Sequence, residues 1–226
     1  MNQAAHNEFL ITKAAAIRRL VNAAIIMFFR DDDDLAIHCV AHAALSVAQE
    51  ILTKLGVDVH GTNLAMGVLA MLQSAVNNEL TEADNLKRLN KTVAELSPEF
   101  INFLKTTNIA EFNVDLQGYD PKPFWREFRS NYNFLKHGRT DEGALLDQDK
   151  IDNNQVIMMA VSACAHLEIP ISVEMIVYFR YWQASNPFLP LADNEIKMVE
   201  YFREHNIEQR KLLGRYLIDD HLHFLE

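Results

Sequence analysis

The residues best equipped for chemistry lie in one short stretch, Phe124 to His137, which carries Arg126, Arg129, Asn133, Lys136 and His137. On a helix, Trp125, Phe128, Tyr132 and Leu135 recur every three or four residues and form an apolar stripe. Arg129, Asn133, Lys136 and His137 then share a polar stripe beside it. Arg129 and His137 fall roughly 80° apart around the axis and about 12 Å apart along it. They can meet only through a shared ligand, or through Asn133 between them. Lys122, Arg126, Arg129, Lys136 and Arg139 concentrate positive charge here in an otherwise acidic chain. A guanidinium fork matches phosphate oxygens and an imidazole titrates near neutral pH, so the pattern suits phosphate recognition or phosphoryl chemistry. The same residues would also make an ordinary solvated face, with Lys136 and His137 favoured by the dipole at the helix C-terminus.

A second constellation is His38 and His42, one turn apart. Such a pair can offer two imidazoles to one metal ion, but a Glu beside the first histidine and a clear third ligand are lacking. Their neighbours Ala36, Ile37, Cys39, Val40 and Ala41 are apolar, so we expect packing histidines and no bound metal. A site completed by His137 is the metal alternative. Gly-rich phosphate loops, Gly-x-Ser-x-Gly and Cys-x-x-Cys do not occur in the sequence. The acidic and histidine-bearing tail Asp219 to His223 reads as frayed surface.

These residues must be positioned by helices. Apolar residues from Phe9 to Phe28 run at helical spacing and meet four aspartates, Asp31 to Asp34, which cap a helix beginning at Leu35 and stopping at Gly56. Further helices are expected over 63–76, 81–96, a short one after Ser97-Pro98, and 124–137. The segment 106–122 reads as a loop, and another follows Gly138. Three more helices are expected over 156–167, 172–184 and 194–217, separated by Pro170 and by Asn186 to Pro190. Nothing reads as paired strands or as a repeat. The expectation is an all-α bundle of about eight helices. It would be one domain over 1–226, divisible into a core 1–140 and a helical layer 150–226.

With 226 residues the chain can bury a sizeable core, and its Ala, Leu, Ile, Met and Phe favour helices. Two cysteines, Cys39 and Cys164, lie in apolar helical stretches, which points to a reducing compartment. Arg18 and Arg19 split the N-terminal apolar run, and no uninterrupted span of about 18 apolar residues follows, so a cytoplasmic chain that does not span a membrane is expected. A net charge of −10 disfavours broad attraction to nucleic acid, so any RNA site must be a local patch.

Two phrases resemble a group of bacterial all-helical proteins: Asp34-Leu35-Ala36-Ile37-His38 leading to Ala41-His42-Ala43-Ala44, and Asn133-Phe134-Leu135-Lys136-His137 preceded by Arg129. More distantly, an Arg, a polar residue and a His on a late helix resemble the HEPN superfamily, although the spacing from Arg129 to His137 is longer than in that superfamily. The resemblance implies a homodimeric helical bundle and a metal-independent ribonuclease of a defence or toxin system. His137 would then act as general acid or base on a ribose 2′-OH, and Arg129 would stabilise the phosphoryl oxygens. Asn133, Lys136 and Arg126 would hold the RNA phosphate in a composite cleft between protomers. The alternative is a non-enzymatic helical module in which the same stripe binds a ligand or a protein partner, or serves as a packing network. The two differ in geometry: an enzyme needs the stripe in a cleft, and a packing network needs it bonded to groups of its own chain.

Overall fold

A computed structural model describes residues 11–77, 96–107, 120, 122–136, 146, 151–186 and 196–223. Among these residues there are ten helices and no strand. They are α1 (Lys13–Phe29), α2 (Asp34–Lys54), α3 (Val59–Val76), α4 (Pro98–Thr106) and α5 (Lys122–Phe128), then α6 (Ser130–Lys136), α7 (Asn153–His166), α8 (Val173–Ser185), α9 (Ile196–Arg203) and α10 (Ile207–His223). The helix expected over 81–96 and most of both long loops lie outside the described residues.

The chain divides into two compact units. The first takes residues up to Val59, Lys122–Phe179 and the C-terminal stretch from Asn206; the second takes His60–Pro121 and Arg180–His205. In the first unit α2 is central, packed on α1 and α7. Its residues Ile37, Ala41, Ala44, Leu45, Ala48 and Leu52 are buried, as are Ile17, Val21 and Ile25 of α1 and Val156, Ile157 and Ala160 of α7. The many alanines let the helix axes approach closely. By length and composition α2 could also cross a membrane, although it holds no uninterrupted apolar span of about 18 residues. In the structure it is the core helix of this unit.

The aspartate cluster divides its work. Asp31 stands in the left-handed region at φ +57° and ends α1, while the Asp33 carboxylate accepts from the Ala36 N–H at 3.0 Å and starts α2. Asp31 also pairs with Lys211 of α10, whose ammonium lies 4.9 Å from the Phe28 ring centroid. Helix α2 ends through Gly56 at φ +76°, with Val57 donating to Leu52 and Gly56 to Thr53. Helix α7 ends in the same pattern, Ile169 donating to Cys164 and Glu168 to Ala165, but an exposed glutamate occupies the left-handed position at φ +54°. Glu168→Gly should therefore raise stability by about 0.5–1 kcal/mol in urea unfolding, because it relieves the Cβ strain and removes an anion from the negative end of the helix dipole. A loss of stability would show that the backbone there tolerates a side chain without cost.

The second unit has its own small core, Leu72 and Leu104 with Leu69, Val76, Phe100 and Phe103 around them. Ser97 caps α4 through the Phe100 N–H at 3.2 Å, with Pro98 in the first turn. The Gln73 amide donates to the carbonyls of Leu104 and Thr107 at 2.6 and 2.8 Å, closing the C-terminal end of that helix.

Two of the expected helices are each divided in two. The helix expected over 194–217 is two helices, because Asn206 restarts it: its Oδ1 accepts from the Gln209 N–H at 3.0 Å and the Gln209 side chain accepts from the Asn206 N–H at 3.1 Å. The helix expected over 124–137 begins at Lys122 and is interrupted at Arg129, where i to i−4 bonds from Arg129 to Trp125 and from Asn133 to Arg129 carry the chain through the bend.

Candidate functional site

Helices α5 and α6 lie in the first unit, and α6 contacts α2. Trp125, 7% exposed, anchors α5 and donates its indole N–H to the Asp58 carboxylate at 3.3 Å. Arg129 is half-buried at the bend: its Nη2 donates to the side-chain carbonyl of Gln49 on α2, and its guanidinium lies 5.4 Å from the centroid of the Trp125 ring. The expected stripe is thereby divided. Arg129 turns into its own chain, whereas Arg126, Asn133 and Lys136 remain exposed, Lys136 reaching to 5.8 Å from the Tyr132 ring centroid. Among the described residues no side-chain hydrogen bond joins Arg129 to Asn133 or Lys136. His137 lies outside the described residues.

The two histidines of α2 are buried, His38 at 2% and His42 at 1% exposure. Their rings meet edge to face at 4.5 Å, and His42 stacks on Tyr132 of α6 at 5.0 Å with an angle of 11° between ring planes. Phe128 closes against the same imidazole at 5.0 Å. The apolar stripe of α5 and α6 therefore does pack as a stripe, and what it covers is an imidazole pair.

A polar chain fixes the state of His38. Asn153, at the start of α7, donates its amide N–H groups to the carbonyl and carboxylate oxygens of Asp34, at 3.1 and 2.9 Å. Its own oxygen is therefore the atom facing His38 Nδ1, at 3.3 Å, and needs a donor. His38 supplies it as Nδ1–H, which leaves Nε2 a lone pair. Burial lowers the pKa of His38, partly offset by the Asn153 bond and by Asp152, and holds the ring neutral. Burial also pushes His42 down to about 3, helped by His38 and by the Arg129 charge. Nε2 of each ring is buried without a hydrogen-bond partner among the described residues. No group of three or more His, Cys, Asp or Glu suited to a metal occurs among them either. Asp219 of the tail lies 3.9 Å from Arg30 and 3.6 Å from Arg215. Burial raises the pKa of Cys39, with Asp33 adding to it, and lifts Cys164 to about 11, so neither is a thiolate at neutral pH.

Beside His38 opens a cleft of about 650 Å³. Phe124 and Phe128, stacked at 5.1 Å, wall it from α5, and Val156 adds apolar surface from α7. Its polar lining is Glu127, Ser130 and Asn131 on one side and Asp152 and Gln155 on the other. Glu127 and Asp152 are thus its charged groups among the described residues. Arg129, flanked in sequence by the lining residues Phe128 and Ser130, does not contribute to it. Asn153, Asp34, Gln49 and Asp152 were missed in the sequence because each partner comes from a distant helix; the one local signal was the Asp-Asn pair at 152–153, which marks a helix start. Comparison with models of protein families, with curated proteins and with solved structures gives no match to this chain.

Proposed function

We propose that this protein is a non-enzymatic helical binding module, in which Arg129 belongs to a packing network and the cleft beside His38 takes the ligand. The observation that carries the reading is the engagement of Arg129: its guanidinium is bonded to Gln49 and lies over Trp125, within its own chain. A group meant to stabilise a phosphoryl transition state must instead present its donors to the developing charge. Support also comes from His38, a buried ring lining the cleft, whose tautomer Asn153 fixes. The HEPN-like ribonuclease reading keeps one favourable observation: Arg126, Asn133 and Lys136 are exposed and free to meet an RNA phosphate.

One assay separates the two. Purified protein incubated with single-stranded RNA and a metal chelator is expected to leave the RNA intact. Arg129→Ala should lower stability by about 1–2 kcal/mol, since it strands the Gln49 carbonyl and removes the cation from Trp125. Cleavage giving 2′,3′-cyclic phosphate ends, lost in both Arg129→Ala and His137→Ala with the fold intact, would overturn the module reading in favour of the ribonuclease.

A further inference from the structure

We propose that the cleft beside His38 binds a small organic cation, an ammonium group carried on an aromatic or aliphatic body. The inference rests on the binding-module reading and names its ligand class. A volume of about 650 Å³ is of the size that holds a small molecule. Among the described lining residues both charges are negative, Glu127 on one wall and Asp152 on the other, and neither Arg126 nor Arg129, the arginines nearest Glu127 in sequence, lines the cleft. An anion would meet two carboxylates with no counter-charge among the described lining residues, whereas an ammonium would meet two partners. The stacked rings of Phe124 and Phe128 supply an apolar wall, and aromatic faces attract cations.

The histidine makes this more than an acidic cluster. His38 is 2% exposed, lines the cleft, and carries an Nε2 that lacks a hydrogen-bond partner among the described residues. The Asp34–Asn153–His38 chain forces that atom to be an acceptor, so what it lacks is a donor. A buried acceptor left unpaired costs about 1–3 kcal/mol, and such groups in folded proteins call for a partner. The N–H of an amine is the complement to a cleft that carries two carboxylates and is lined by a histidine ring whose Nε2 is an unpaired acceptor.

The test uses the full chain and three probes of matched shape: benzylamine, benzyl alcohol and benzoate, titrated by calorimetry and by nitrogen NMR of the histidine rings. Benzylamine is expected to bind saturably and to shift the His38 Nε2 resonance, and the alcohol and the carboxylate to bind at least about tenfold more weakly. Glu127→Gln, an exposed change that removes one charge, should weaken benzylamine about threefold at an unchanged melting temperature. Ser130→Trp, which fills the cleft from its exposed rim, should abolish binding. Equal or tighter binding of benzoate or benzyl alcohol overturns the cation inference and leaves the module reading standing. Absence of saturable benzylamine binding, or binding that survives Ser130→Trp, also overturns it. The RNA assay reports separately on the module reading.

Discussion

Gly214→Ala is expected to destabilise the protein by roughly 2 kcal/mol, against the usual gain of about 1 kcal/mol when alanine replaces glycine inside a helix. The reason is the approach of α10 to α1. A Cβ on residue 214 would lie 2.2, 2.6 and 2.7 Å from three ring atoms of Phe29. Phe29 cannot simply swing aside: it is 3% exposed and held edge-on by Phe28 at 5.4 Å and by Tyr178 at 6.1 Å. Either the ring leaves its rotamer or the helix moves off the core, and both give up packing in the centre of the first unit. Urea unfolding of the single variant measures the loss. Phe29→Leu removes the offending ring atoms, so the Gly214→Ala penalty should largely vanish on that background, giving a coupling that a change in helix propensity alone cannot produce. A Gly214→Ala protein as stable as the parent would mean that the Phe28, Phe29 and Tyr178 cluster yields freely.

Nothing in the sequence around Gly214 announces that contact. A lone glycine in a helical pattern reads as a tolerated cost, and its partner lies almost the full chain length away. What could be read was local. The aspartates before α2, the Gly56 stop and the Ser97-Pro98 start act through hydrogen bonds within five residues, and each is present as read. The Asn206–Gln209 pair is a signal of the same kind that was overlooked, since the apolar pattern continues across it and suggests one helix where there are two. The all-helical class follows from many such local preferences in agreement. The number and relative placement of the helices do not, because those depend on which faces meet.

The site shows the same division. The stripe of Trp125, Phe128 and Tyr132 follows from helical period and is realised as packing. The polar stripe followed from the same period, yet periodicity places side chains only around one axis and says nothing of what faces them. Gln49 captures Arg129 from another helix, and the single helix that the period implies is interrupted at that residue. His38 and His42 are buried, as their apolar neighbours lead one to expect. The tautomer of His38 was beyond reach, because it depends on Asn153, which is 115 residues away.

That burial makes the protein acid-labile in a defined window, the second large effect expected. His42 has a pKa of about 3 in the folded chain and its ordinary value near 6.5 when unfolded. Between those values the unfolded chain binds a proton that the folded chain refuses, so stability is fully present above about pH 6.5 and falls as the pH drops toward 3. His38 contributes in the same direction. A shift of this size corresponds to several kcal/mol, on the order of the entire stability of a small domain. The groups around the His42 ring allow no easy relief: His38 is itself neutral and adjacent, Arg129 is already cationic, and Tyr132 and Phe128 cover the faces. Carboxylates elsewhere also lose pairing in acid, so the measurement needs a variant that isolates the ring. His42→Phe keeps an aromatic against Tyr132 and removes both the titration and the unpaired buried Nε2. Its stability at pH 7.5 should equal or exceed that of the parent, and its stability should fall far less between about pH 6.5 and 4. Urea unfolding across that range reads both quantities, and a His42→Phe protein that loses stability with acid as steeply as the parent would place the acid sensitivity outside this histidine.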